Sequence, residues 1–125
     1  MILDTNALSA VAENESAAVR IFAQASSIEL PVIVLGEYRF GIAQSRRRDE
    51  YEKWLDKLIA ATQVLPVDGE TSRHYALFGA ELRKAGQPIP TNDLWIAALC
   101  RQHRLPLMSQ DTHFDAIQNL KRIGW

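Results

Sequence analysis

The sequence predicts an α/β fold in which a central, mainly parallel sheet lies between helices in a three-layer α/β/α sandwich. Two observations carry this reading. Short apolar runs of strand length alternate along the chain with longer runs of helical periodicity, an order that demands right-handed crossovers and helices on both faces of a sheet. The alternation also fills all 125 residues without repeats, linkers or low-complexity segments, and 47% of the residues are hydrophobic. A chain of this size buries about two-thirds of the surface its unfolded form exposes, so one domain over residues 1–125 is expected.

Met1 to Leu3 reads as a short buried strand, with Asp4 at its carboxyl end and Thr5 or Asn6 capping the helix that follows. A second helix is expected over Ser16 to Ala25 and a strand over Ile28 to Pro31. Val32 to Ser45 has helix length and stacks Ile33, Glu37 and Gly41 on one face. Asp49 to Ala61 places Tyr51, Trp54, Leu55 and Leu58 at helical spacing, and Gln63 to Val67 reads as a strand. Thr71 to Ala85 is an amphipathic helix built on Tyr75, Phe78 and Leu82, ended by Gly86 and the prolines Pro88 and Pro90. Thr91 is expected to cap a helix from Asn92 to His103 that is apolar nearly all round and therefore central. Leu105 to Ser109 is the next strand, His113 to Gln118 a short helix, and Leu120 to Ile123 a final strand.

Asp4, Glu37, Asp93 and Asp111 each stand where an ionised side chain is unexpected, behind or within apolar runs. Burying a carboxylate without a partner is costly, so a set of them suggests a cation. Magnesium and manganese take hard oxygen ligands and can stabilise the attacking and leaving oxygens of a phosphoryl displacement. Ligands in such sheets bind beyond the carboxyl ends of the strands, which brings Asp4 and Asp111 to one edge. Thr5, Asn6, Asn92 and Ser109 are placed to orient carboxylates or water, and Asp115 is a candidate fifth acid. Each acid also has a structural reading. Asp93 suits the first turn of a helix and Asp4 and Asp111 suit caps, whereas Glu37, in mid-helix, has no capping role.

A formal net charge of −1 argues against a protein that coats nucleic acid by bulk electrostatics. The run Arg46, Arg47 and Arg48 offers a local phosphate contact, though such a run is also an ordinary solvated helix end. His74, His103 and His113 lack metal-ligand spacing and are read as non-catalytic, and Trp54, Trp95 and Trp125 as packing residues. The single cysteine, Cys100, cannot form an internal disulfide; with no leader or membrane-spanning pattern, a cytoplasmic location is expected.

Taken in order, these motifs resemble a PIN domain, and specifically the short VapC-type toxins of bacterial toxin–antitoxin pairs. The resemblance rests on Leu3-Asp4-Thr5-Asn6, on Gly36-Glu37 with Gly41, and on Pro90-Thr91-Asn92-Asp93 with Ile96-Ala97-Ala98. Ser109-Gln110-Asp111-Thr112-His113-Phe114 and the terminal Trp125 complete it. It implies a PIN-like sandwich whose acidic pocket, Asp4, Glu37, Asp93 and Asp111, binds magnesium or manganese and hydrolyses RNA phosphodiesters. It also implies a homodimer inhibited by an antitoxin whose C-terminal segment reaches the pocket. Two departures are a minimal lead-in before the first strand and Ser109 where threonine is frequent. A haloacid dehalogenase-like phosphatase would want an acid where Asn6 stands, and a silent RNA- or partner-binding module would be expected to have lost one of the acids.

Overall fold

The computed structural model describes residues 1–125. Its elements are β1 (Ile2–Leu3), α1 (Thr5–Ala12), α2 (Ser16–Gln24), β2 (Glu29–Pro31), α3 (Val32–Ile42), α4 (Arg48–Ala61), β3 (Gln63–Leu65), α5 (Gly69–Lys84), α6 (Thr91–His103), β4 (Leu107–Met108), a 3-10 turn (Thr112–Ala116) and β5 (Arg122–Ile123). The strands form one sheet in the order β3-β2-β1-β4-β5, and every pairing is parallel. All five strands therefore end on the same edge.

The strands are shorter than their apolar runs because only the residues in register with a neighbour join the ladder. Ile2 faces Glu29 on one side and Leu107 on the other, and Leu3 faces Met108. Ile2, Leu3, Leu30, Leu107 and Met108 are fully excluded from solvent, as are Leu8, Leu55, Phe78, Ile96, Leu99 and Phe114 from the helices and the turn. Burial of this kind stabilises by about 1.5–3 kcal/mol per large side chain. Helix α6 is buried along Leu94 and Ile96 through Cys100, and packs on α5, where Gly79 lets the helices approach. A Cβ at Gly79 would stand 3.3 Å from Leu94 Cδ2.

Helix termini depart from the expected caps in an informative way. Asp4 itself, rather than Thr5 or Asn6, caps α1, its Oδ1 accepting from the Ala7 amide at 2.8 Å. Thr91 is the first residue of α6 instead of its cap, and Pro90, whose side chain cannot accept a hydrogen bond, precedes it. Helix α3 ends at Ile42, three residues before the apolar pattern suggests, and α5 starts at Gly69 because Asp68 and Thr71 form a capping box. Gly86, at φ +69°, terminates α5 with the Gln87 and Gly86 amides bonded to the Leu82 and Arg83 carbonyls. Arg104 adopts the same left-handed conformation after α6, at φ 55°, without being a glycine.

The tryptophans pack as expected. Trp54 tilts against Tyr38 with centroids 6.2 Å apart, Trp95 stacks on Tyr75 at 3.9 Å, and Trp125 Nε1 donates to Glu15 at 2.9 Å. Cys100 is buried and its thiol is pushed well above its usual range by that burial. No helix is long and apolar enough to cross a membrane.

Candidate acidic metal centre

From central β1 the chain steps to β2 and β3 on one side and reaches β4 and β5 on the other. A crevice forms where such a sheet changes direction, at the carboxyl edge between β1 and β4. Asp4 directly follows β1, and Ser109 and Asp111 follow β4. Glu37 is carried there by α3 and Asp93 by the first turn of α6.

Asp4 is 3% exposed. Burial pushes its carboxyl up to about 6, against hydrogen bonding from the Ser109 hydroxyl and the Ala7 amide, with further upward pressure from the charges of Asp111 and Asp93. Asp93 is shifted the same way, first by burial and then by Asp111 and Glu37, with His113 opposing. The four carboxylates thus sense one another, although they come from four separate segments of the chain. No lysine or arginine pairs with any of them.

The surrounding hydroxyls fix the geometry. Thr5 Oγ1 donates to Glu37 Oε1 at 2.8 Å, tying α1 to α3 at the site. The buried Ser109 Oγ accepts from the Asp111 amide at 3.0 Å, so one side chain braces Asp111 while it contacts Asp4. Arg122 Nη1 donates to the Ser109 carbonyl at 3.1 Å, linking β5 to the same loop. Asn6 is exposed and makes no side-chain hydrogen bond. Thr5, Ile33, Gly36, Glu37, Phe40 and Asn92 line an open cleft of about 590 Å³ on the acidic edge. Phe40, 85% exposed, forms its outer lip.

Two further residues are placed differently from their sequence reading. Asp115 is engaged by Arg122, its two oxygens bound by Nε and Nη2 at 2.8 and 2.9 Å, and this guanidinium holds its carboxyl below the usual range. His113, expected to be incidental, stands at the site with Nε2 3.0 Å from Asp93 Oδ2. A lone histidine two residues after an acid carries no spacing signal; only the tight 3-10 turn brings it back onto Asp93. The arginine run is exposed at the junction of α3 and α4, where Arg47 is engaged by Glu50 at 3.0 Å and covers the Tyr51 ring. Arg46 and Arg48 form no ion pair.

A cavity of about 510 Å³ lies elsewhere, among Phe78, Arg101, Arg104, Leu105 and Lys121 at the amino-terminal edge of β4 and β5. It is lined by no carboxylate, whereas Glu37 lines the open cleft.

The chain as a whole is similar to known proteins. The ribonuclease VapC5 of Mycobacterium tuberculosis is 34% identical over 88 residues, covering 69% of this chain and 65% of that protein, just under two-thirds of its length. The VapC ribonuclease Y4jK of Sinorhizobium fredii is 33% identical over 122 residues, 90% of this chain and 87% of the relative. In fold, the chain superposes on a chain of the VapBC2 complex of Rickettsia felis, solved bound to a DNA fragment from its promoter, with a TM-score of 0.86 and 22% identity over 99% of this chain and 97% of the other. Residues 1–120 match the PIN domain family, and the chain belongs to that family.

Proposed function

We infer that this chain is a divalent-metal-dependent endoribonuclease and the toxin of a toxin–antitoxin pair, folded as a single domain. The observation that carries the reading is the convergence of Asp4, Glu37, Asp93 and Asp111 without a lysine or arginine to neutralise them, in a chain related to VapC ribonucleases. The donor set fits a hard divalent cation, magnesium or manganese, because it is rich in carboxylate oxygens and its buried members resist ionising unaided. When bound, such a cation activates water and offsets the negative charge that develops on the phosphoryl group.

The chain's own residues hold the acids in place. The Ala7 amide fixes Asp4, the Thr5 hydroxyl fixes Glu37, and Ser109, itself held by Arg122, fixes the loop bearing Asp111. RNA enters through the open cleft beside Phe40 and Asn92, with Arg46 and Arg48 free to meet phosphates further along. Water attacks phosphorus, the bond to the 3′ oxygen breaks, and that oxygen leaves as a hydroxyl, giving 5′-phosphate and 3′-hydroxyl ends. The antitoxin is a partner whose C-terminal segment brings a cationic side chain to the acidic pocket, where charge-assisted hydrogen bonds satisfy the carboxylates. Exposed Val32 and Phe40 on α3 provide apolar anchorage beside the cleft. The toxin pairs with a second copy of itself, and its site of action is the cytoplasm.

The test is cleavage of RNA by the purified chain. Activity is expected with magnesium or manganese and none in excess chelator, with 5′-phosphate product ends. Undiminished cleavage in chelator, or 2′,3′-cyclic phosphate products, would refute the mechanism. Binding of RNA without cleavage under every metal condition would favour the silent binding module.

A further inference from the structure

His113 is the one nitrogen donor among the carboxylates. Its ring is 35% exposed as a whole, yet Nε2 itself is closed off from solvent. That nitrogen stands 3.0 Å from Asp93 Oδ2 and meets no other polar partner. In the tautomer that carries its proton on Nδ1, the Nε2 lone pair faces the Asp93 carboxylate with no donor between them, a pairing that a cation satisfies. Donor atoms of Asp93, Asp111 and His113 all lie within 4.8 Å of one another. An octahedral ion with bonds of about 2.1 Å holds neighbouring donors about 3 Å apart. The separation of Asp93 Oδ2 and His113 Nε2 already has that value.

Resting on the metal-dependent reading above, we propose that His113 is a direct ligand of the site's divalent ion through Nε2, and that it biases the site toward manganese over magnesium. Magnesium takes oxygen donors, whereas imidazole favours transition metals. A carboxylate site with one imidazole therefore gains more from manganese than a purely carboxylate site does. The competing role is positioning, in which the ring only orients Asp93 from outside the metal's ligand sphere. The two roles differ in what touches the ion. A positioning residue would weaken both metals alike and leave no nitrogen on the manganese.

The experiment uses the full chain, stripped of metal and loaded with one equivalent of manganese, examined by electron spin echo envelope modulation. Directly coordinated ¹⁴N is expected, changing to the ¹⁵N pattern when only histidine is ¹⁵N-labelled. The signal should persist in His74→Gln and His103→Gln and vanish in His113→Gln. Calorimetry should show His113→Gln losing about tenfold or more in manganese affinity, with a smaller loss for magnesium. Bound manganese without histidine nitrogen in the unsubstituted chain, or equal losses for both metals, overturns the proposal while leaving the metal-dependent reading standing. Failure of the unsubstituted chain to bind manganese overturns the proposal, and failure to bind either metal overturns both. Because the labelling measurement needs no substitution, a variant that folds poorly does not protect the proposal.

Discussion

Asp4→Asn should stabilise the metal-free protein at neutral pH while abolishing its nuclease activity. Burial, reinforced by Asp111 and Asp93, moves the Asp4 carboxyl from 3.8 to about 6. That displacement is an ionisation penalty in the folded state of roughly 3 kcal/mol. An acid whose folded-state pKa is raised binds more protons folded than unfolded between about pH 4 and 6, so stability falls as the pH rises through that window and levels off above it. Asparagine removes the charge and keeps an equally good N-cap for α1, which accepts from Ala7 in the same way. In chelator at pH 7 the variant should therefore melt on the order of 10 °C higher than the unsubstituted chain. The gap should close as the pH is lowered toward 4, where the folded-state penalty on Asp4 is gone. Asp93 shifts in the same direction, so the unsubstituted chain's own pH slope exceeds that of one group, and only the difference between the two proteins isolates Asp4. Adding manganese should reverse the order, because the intact site recovers the penalty through binding. Thermal melts of both proteins in chelator from pH 4 to 8 measure this, and a variant no more stable at pH 7, or a gap that widens toward pH 4, would refute the electrostatic account.

Three further outcomes can be checked in parallel. Glu37→Gln, Asp93→Asn and Asp111→Asn should each lower metal-supported RNA cleavage by orders of magnitude with the fold retained, whereas Asp115→Asn, which loses only the exposed Arg122 pair, should keep most of its activity; a fully active Asp93→Asn protein would overturn the site assignment. Thr5→Val removes the hydroxyl that holds Glu37 and should reduce cleavage with little change in melting temperature, while Thr5→Ser should retain it; equal activity in all three would remove Thr5 from the machinery. Arg104→Gly relieves a left-handed residue at the end of α6 and should raise stability by about 1 kcal/mol without affecting cleavage, as the position lies at the opposite edge of the sheet; a lower melting temperature would show that the side chain's packing outweighs the strain.

The order of elements and the four acids are legible in the sequence because both leave signatures in one dimension. Apolar run length separates strand from helix, and a carboxylate inside an apolar run is anomalous wherever the chain goes. Element ends are less legible. Asp4, Thr5 and Asn6 are all good capping residues, and only the backbone at the strand end selects Asp4 as the cap over the two that follow it. Thr91 misleads in a similar way: Pro90 fixes an extended backbone just before the helix, pushing the first helical residue onto the threonine. His113 is invisible to spacing arguments because its neighbour in space, Asp93, is far away in sequence and the turn that carries the histidine is 3-10 rather than α-helical. Glu29, between Ile28 and Leu30, is an equally anomalous acid that the same reading passes over. It is a buried acid that needs no metal, being held by the Met1 amine and the Ser27 hydroxyl.

The ambiguity between structural and functional readings of the acids has a physical origin. Asp4 caps α1 and Asp93 occupies the first turn of α6, so two helix N-termini converge on the cluster. Each terminus favours a nearby carboxylate by about 0.3–1 kcal/mol, which is why the same residues look like ordinary caps. That assistance is too small to keep the acids ionised, because burial alone costs Asp4 several times as much and mutual repulsion adds to it. The upward shifts on Asp4 and Asp93, led by burial and reinforced by the neighbouring carboxylates, mark a site short of positive charge. On the function proposed above, a divalent ion would fill that deficit, and so would a lysine or arginine presented by a partner protein. Catalysis and inhibition would then draw on one electrostatic shortfall, and whichever cation satisfied it would exclude the other.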